Sequence, residues 1–428
     1  MKDGFIKAAA GTINVKVADT LNNTEEIIKT VSEAEKLGVK LLILPELCVT
    51  GYTCSDLFFT DTLLDSALNS VFEIKKRTEN AECIFAVGCP LKFFGKLFNC
   101  AVVFYRGEVL GIVPKCAIPN YGEFYEIRQF SSGNILNGNV MQVQIGEKSV
   151  PFGMNLIFRC SDFPDFSFGI EICEDLWTSD PPSRKLAQKG AMIIANLSAS
   201  DEVIGKEEYR RLLVNSTSAR LISGYIYANA SPTESTQDMV FSSHHILSEN
   251  GSLLKENKPF EESSITVTEF DVKKLSHERH RCTTFETAAD GFEVLFSMKP
   301  TETVLTRYYD KNPFVPPVDE QIKMRAESIL KIQSYGLKKR LEHTYAKTAV
   351  IGISGGLDST LALLVTVRAF DLMKKDRKEI ICITMPCFGT TKRTKSNAVK
   401  LCEELGVTIK QINITDAVKQ HFKDIEQD

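Results

Sequence analysis

Apolar residues in the first 275 positions fall into short dense runs separated by helix-spaced stripes. Residues 5–9 (Phe-Ile-Lys-Ala-Ala) read as a first strand. Asn23, followed three residues later by Glu26, has the form of a capping box. Ile27, Ile28, Val31, Ala34 and Leu37 then share one helical face, and Gly38 suits the stop. A strand is expected at 39–44, ending in Pro45-Glu46-Leu47. Others are expected at 83–87, 99–104 and 109–113, with a hairpin turn at 106–108 between the last two. More follow at 168–172, 191–195 and 224–228, with a hairpin around Asn250-Gly251. Many strands with intervening helices indicate a layered α/β domain over residues 1–275.

The pattern then changes. Residues 276–320 are polar and proline-rich, as expected of a linker. His277 and His280 could share a helical face, but no third metal ligand is visible, so a surface position is expected. From 321 a second unit begins, with a helix over 322–343. Strands at 348–351, 380–384 and 407–412 alternate with helices at 361–367, 396–405 and 416–422. That order predicts a doubly wound parallel sheet over 321–428.

Composition narrows the class. A chain of 428 residues suggests two or three domains, and a net charge of −4 offers no basic tail for nucleic acid or a membrane surface. The mixed run at 374–379 reads as a solvated loop. There are twelve cysteines. Cys83, Cys100, Cys160 and Cys382 lie in apolar stretches, and no Cys-x-x-Cys occurs, which favours reduced thiols over a disulfide framework. Neither a signal-peptide core nor a membrane-length apolar run is visible, so a cytoplasmic protein is expected.

Three expected strand ends each carry one reactive group: Glu46 after Leu-Ile-Leu-Pro, Lys115 after Gly-Ile-Val-Pro, and Cys173 after Gly-Ile-Glu-Ile. Strand ends of an α/β sheet are where side chains converge. A thiol needs a base to become a nucleophile, and a carboxylate can serve. The oxyanion formed on attack needs donors, which a lysine ammonium and the backbone N–H of Glu174 would supply. Residues 44–52, 114–126 and 172–177, in that order, resemble the Glu-Lys-Cys triad segments of the nitrilase (carbon–nitrogen hydrolase) superfamily. The resemblance implies an αββα sandwich, with Glu46 as general base, Lys115 as electrostatic stabiliser and Cys173 as nucleophile. Glu123 resembles the additional buried glutamate that orients this site in many members.

Within that superfamily the segments look most like the glutaminase domain of the glutamine-dependent NAD synthetases. That likeness implies Tyr121 and Ser200 as glutamine ligands. Lys206 stands where the family pattern has arginine; it can pair with the substrate carboxylate but lacks the bidentate fork.

Gly352, Ile353, Ser354, Gly355, Gly356, Leu357, Asp358 and Ser359 lie between an expected strand and an expected helix, where a phosphate-binding loop belongs. No Gly-Lys-Ser/Thr follows, so this is not a Walker loop. Ser-Gly-Gly-x-Asp-Ser resembles the loop of the ATP pyrophosphatases. The resemblance assigns the loop to ATP and Asp358 to Mg²⁺, which prefers hard oxygens. Met385-Pro386, Thr390 and Thr394-Lys395-Ser396 resemble the next segment of the NAD synthetases.

An amidase first and this loop second together resemble the glutamine-dependent NAD synthetase family. The implied substrates are glutamine, ATP with Mg²⁺, and deamido-NAD, in a homo-oligomer with no tightly bound prosthetic group and no nucleic-acid or membrane partner. A stand-alone amidase with a vestigial nucleotide-binding module, and a regulatory protein with a dead amidase fold, are the other readings. In this family the synthetase domain extends well past the equivalent of Asp428. The expectation is therefore a fragment that hydrolyses glutamine but does not make NAD alone.

Overall fold

The apolar runs of the first half pair into two sheets. The computed structural model describes the chain except residues 235, 262–264, 289, 317, 388–391 and 428, and except the side chains of 392–396. Thr390 and the side chains of Thr394, Lys395 and Ser396 therefore lie outside the described residues. Two compact units are present, Met1–Tyr308 and Tyr309–Asp428.

In the first unit, an eight-stranded sheet runs in the order Ile265–Asp271, Phe5–Gly11, Leu41–Ile43, Ile84–Phe93, Lys96–Tyr105, Glu108–Pro114, Lys148–Phe152, Met141–Ile145. A seven-stranded sheet runs Ser252–Glu256, Ile246–Glu249, Gly224–Asn229, Ile193–Ser198, Ser167–Ile172, Leu156–Cys160, Phe292–Phe296. Strand alternation sorts the side chains. Ile6, Ala8, Ala10, Leu41 and Ile43 meet Phe168, Ile170, Ile193, Ala195 and Ile226 between the sheets. On the outer face of the first sheet, Ala9, Leu42, Phe85 and Val87 cluster with Ile27, Val31 and Ala34 of the helix Thr20–Lys36 and with Ala67, Val71 and Ile74 of the helix Asp61–Arg77. On the other side, Ile194, Tyr225 and Tyr227 meet Leu186 of the helix Pro182–Gln188 and Val214 and Leu221 of the helix Lys206–Leu221. The layers are α, β, β, α, as the resemblance implied.

Three local expectations need correction. The first helix begins at Thr20, capped by Asp19, whose side chain accepts from the Asn22 N–H. Asn23 is wholly buried instead: its amide donates to the carbonyls of Lys16 (2.9 Å) and Val49 (3.1 Å), tying the helix to the loop after Leu41–Ile43. Leu37 ends the helix and is exposed, and Gly38 turns the chain at φ +76°.

The stretch expected as a linker, 276–320, is in part built into the first unit. The helix Val272–Arg281 carries both His277 and His280 exposed. Phe292–Phe296 adds a parallel edge strand beside Leu156–Cys160, with Val294 and Phe296 turned into the core between the sheets. Two inward apolar residues suffice for an edge strand, and the polar flanks hid them.

The second unit has three parallel strands in the order Ala349–Gly352, Ile380–Thr384, Thr408–Gln411. Its core joins Ile353, Leu363, Val367 and Phe370 with Ile380, Cys382, Ala398 and Cys402.

The sharpest packing constraint lies under Glu46. A methyl placed on Gly88 would meet Leu47 N at 2.0 Å and Pro45 O at 2.5 Å, both backbone atoms that cannot swing away. Gly88→Ala is predicted to cost about 3 kcal/mol or more in urea unfolding, at the upper end of overpacking effects. It should also displace Glu46, so activity should fall in the protein that remains folded.

Candidate active site

Glu46 and Lys115 follow strands of the eight-stranded sheet, Cys173 follows a strand of the seven-stranded one, and all three are buried. Glu46 leaves the segment after Leu41–Ile43. Its Oε2 accepts the Ala199 N–H at 2.9 Å, and its Oε1 accepts from Lys115 Nζ at 2.6 Å and Asn99 Nδ2 at 2.7 Å. Lys115 directly follows the strand Glu108–Pro114, and its backbone N–H is tied to Asn99 O at 2.8 Å. Its ammonium reaches a second carboxylate, Glu126 Oε1, also at 2.6 Å. Burial alone would disfavour the charge on Lys115, but Glu126 and Glu46 together reverse this and raise its pKa well above the ordinary range.

Cys173 follows the strand Ser167–Ile172 and opens the short 3₁₀ turn Cys173–Trp177. Its φ of +44° lies in the left-handed region, an unusual conformation for a non-glycine residue. Asn196 holds it there, accepting the Cys173 N–H at 3.0 Å and donating to its carbonyl at 3.4 Å. Burial first, and then the charge of Glu46, push the thiol pKa up; Lys115 and a hydrogen bond with Ser198 act the other way. The sulfur is therefore a thiol at neutral pH and needs a base to react.

One buried carboxylate joins the loops that carry Lys115 and Cys173. Asp175 Oδ1 accepts the N–H groups of Cys116 (3.1 Å) and Ala117 (2.7 Å), and its Oδ2 accepts that of Ile172 (2.9 Å). Burial pushes its pKa up to about 7 despite those donors.

The sequence expectation for the orienting glutamate needs correction. Glu123 is half-buried and hydrogen-bonded to Asp201. The buried carboxylate against Lys115 is Glu126, which also accepts from the Tyr52 hydroxyl at 2.6 Å and from Asn99 at 3.4 Å. Glu123 and Glu126 stand three residues apart in an irregular segment, where spacing alone cannot tell which one turns inward.

The Tyr121 hydroxyl donates to Glu174 at 2.8 Å and its ring lies 5.9 Å from that of Phe124. Lys206 is paired with Asp201, with its ammonium 5.4 Å from the Phe124 ring and 5.6 Å from the Trp177 ring. Ser200 is buried; its Oγ accepts from the fully buried Arg210 at 3.4 Å. Asn99, Asn196, Asp175 and Arg210 escaped sequence reasoning. Asn99 left a signal, a lone amide in the apolar run of its strand.

In the second unit, the segment 352–359 joins the strand Ala349–Gly352 to the helix Leu357–Leu372. Gly355 has φ +81°. Ser354 Oγ accepts the Gly356 N–H at 3.2 Å, and the Ser354 and Ser359 hydroxyls lie 3.1 Å apart. Ile353 is buried under the loop, whereas Gly352, Ser354, Gly356, Leu357 and Asp358 are exposed. The result is an open turn of small groups at a helix start.

The Glu126 carboxyl has a pKa pushed up to about 7, chiefly by burial; Lys115 opposes this and Glu46 adds to it. The folded state thus holds a proton more tightly than the unfolded chain. That contribution is fully present below the ordinary glutamate range and is lost as pH rises through about 7. Between pH 5 and 8 the wild-type chain should therefore lose at least about 1 kcal/mol of unfolding free energy relative to Glu126→Gln. Parallel urea titrations across that range check the difference.

A family described as carbon-nitrogen hydrolase matches residues 7–277, and one described as NAD synthase matches residues 329–428. A glutamine-dependent NAD(+) synthetase from Mycobacterium tuberculosis (strain ATCC 25618 / H37Rv) is 36% identical over 427 residues, covering 97% of this chain and 62% of the relative. The chain thus spans about 62% of the length of such curated relatives. Among solved structures, a glutamine-dependent NAD(+) synthetase from Cytophaga hutchinsonii aligns with TM-score 0.56 at 21% identity, over 99% of this chain and 68% of that one. Saccharomyces cerevisiae Nit3, of the nitrilase superfamily, aligns with TM-score 0.51 at 18% identity, over 66% of this chain and 96% of its own. Those two likenesses concern the fold. The first family match takes in more than half of the chain, and with it the chain belongs to the carbon-nitrogen hydrolase family.

Proposed function

We propose that this chain carries the glutamine-hydrolysing half of a glutamine-dependent NAD synthetase, together with the ATP-binding loop of its synthetase half. The observation that carries the first part is the buried ion pair of Glu46 and Lys115 together with the burial of Cys173. Glu46 takes the thiol proton, and the sulfur attacks the side-chain amide carbon of glutamine. The ammonium of Lys115 and the N–H of Glu174 receive the developing oxyanion. The proton passes to the leaving nitrogen, ammonia departs, and a γ-glutamyl thioester remains. Water activated by Glu46 then releases glutamate and regenerates the thiol.

Tyr121, Ser200 and Lys206 would hold the amino-acid end of glutamine, with Glu174 and Glu123 as acidic neighbours. Lys206 contributes a point charge rather than a fork. Glu126 orients Lys115 in place of the expected Glu123.

For the second part, the similarity to NAD synthetases over both segments supports ATP as a substrate at 352–359. The start of Leu357–Leu372, where the Gly356 N-cap offers no side-chain cap, suits a phosphate. No group of three or more His, Cys, Asp or Glu that could hold a metal occurs among the described residues. Mg²⁺ would therefore arrive with the nucleotide and share the Asp358 carboxylate. The nicotinate carboxylate of deamido-NAD would attack the α-phosphorus of ATP and expel pyrophosphate, and ammonia would then displace AMP from the acyl-adenylate to give NAD. No helix among the described residues is long and apolar enough to cross a membrane.

The test is glutamate and ammonia release from glutamine, with Cys173→Ala and Lys115→Met alongside. Cys173→Ala should lower kcat by about a thousandfold or more while the fold is retained. Equal turnover in Cys173→Ala would defeat the nucleophile assignment. NAD formation on adding ATP and deamido-NAD tests the second half, and amide hydrolysis indifferent to both would favour a stand-alone amidase.

A further inference from the structure

Glu234 takes no part in the chemistry described above, yet its carboxyl is wholly buried in the same region. Isolating a carboxyl from water is costly unless its oxygens are used. No cation pairs with it among the described residues. Its Oε1 accepts two backbone N–H groups, those of Tyr52 and, at 3.0 Å, Thr53, while the Thr53 hydroxyl donates to the Glu234 carbonyl at 3.2 Å. Its Oε2 has no hydrogen-bond partner among the described residues. Burial pushes the carboxyl up to about 8 against the pull of the Thr53 and Tyr52 N–H groups.

The backbone opposite is shaped for this carboxyl. Gly51 sits at φ +91°, and a Cβ there would come within 3.1 Å of Glu234 Oε1. A side chain at residue 51 would crowd the carboxyl and strain a backbone already in the left-handed region. That turn presents Tyr52, whose ring packs edge-on against Phe241 at 6.0 Å and whose hydroxyl donates to Glu126 at 2.6 Å. Glu126 in turn grips Lys115. A continuous series of contacts therefore runs from Glu234 through the backbone of residue 52, the Tyr52 hydroxyl and Glu126 to the ammonium beside Cys173.

We propose that Glu234 is a positioning residue for the amidase reaction, acting through Tyr52 by fixing the 51–53 turn from which the Tyr52 hydroxyl sets the Glu126–Lys115 pair. This rests on the glutamine-hydrolysis reading, and it separates Glu234 from residues that merely hold the sandwich together.

The experiment compares Glu234→Ala, Glu234→Asp, Glu234→Gln, Tyr52→Phe and the double variant Glu234→Ala/Tyr52→Phe in the full chain. Three quantities are measured: kcat and KM for glutamine, the rate of Cys173 alkylation by iodoacetamide as a function of pH, and the unfolding midpoint. Glu234→Ala and Glu234→Asp, which remove or withdraw the acceptor, should each lower kcat about tenfold with KM changed less than about threefold, and shift the alkylation profile. Glu234→Gln keeps an acceptor for both N–H groups and should be rescued to within about threefold of wild type. The double variant should be no more than about twofold worse than Tyr52→Phe, because both changes break one series of contacts.

The proposal is overturned if Glu234→Asp folds with unchanged kcat and alkylation profile, if Glu234→Gln is as impaired as Glu234→Ala, or if the two losses multiply. Should Glu234→Ala not fold, the Asp and Gln variants decide the matter. Alkylation needs no glutamine. A wild-type chain that does not hydrolyse glutamine but shows the expected alkylation pattern would therefore defeat the glutaminase reading and leave the role of Glu234 standing.

Discussion

The buried ammonium of Lys115, held between Glu46 and Glu126 at 2.6 Å each, is the interaction on which the rest of the site depends. Two carboxylates so close would repel without it, and a lysine so deep could not stay charged without them. Removing one partner from such a group typically costs roughly 3–5 kcal/mol, because the remaining charge is left buried and unpaired. With both carboxylates ionised the group would carry one excess negative charge, and the raised pKa of Glu126 relieves it. Neutral donors finish the arrangement: Asn99 bridges the two carboxylates, Tyr52 closes on Glu126, and the Ala199 N–H holds the far oxygen of Glu46.

The sandwich exists, in functional terms, to bring these donors from distant parts of the chain to one place. Glu46 comes from one sheet, Cys173 from the other, and Lys115 from a strand end of the first. Asp175 bonds the loops of Lys115 and Cys173 to each other through three N–H groups. Gly88 lets a neighbouring strand lie directly against the backbone of Glu46. The left-handed conformation of Cys173 is part of the same design: strain held by Asn196 keeps the sulfur at a strand end.

Much of this was legible in the sequence. Strand positions at 5–9, 83–87, 99–104, 168–172 and 224–228 stand in dense apolar runs, and the Asn-Gly and Arg-Gly turns carry their own conformational reason. Glu46, Lys115 and Cys173 were readable because each follows such a run. What stayed hidden depends on direction rather than identity. Glu123 and Glu126 differ only in which way an irregular segment faces. Asn23 looks like a cap by type, but the chain before it supplied Asp19 first. The edge strand Phe292–Phe296 is short and lies inside a polar, proline-rich stretch, and only Val294 and Phe296 turn inward. Lys206, expected as a contact to the substrate carboxylate, also lies against Asp201 and two aromatic rings, which depends on tertiary packing alone.

The central claim is that Cys173, relieved of its proton by Glu46, forms a covalent acyl intermediate under the charge of Lys115. Rapid acid quenching during turnover of glutamine, followed by peptide mass spectrometry, tests it directly. A glutamyl adduct confined to Cys173, appearing before steady state and absent from Glu46→Gln, is the predicted result. Glutamine hydrolysis that proceeds with no adduct at Cys173, or with an adduct on another cysteine, would contradict it.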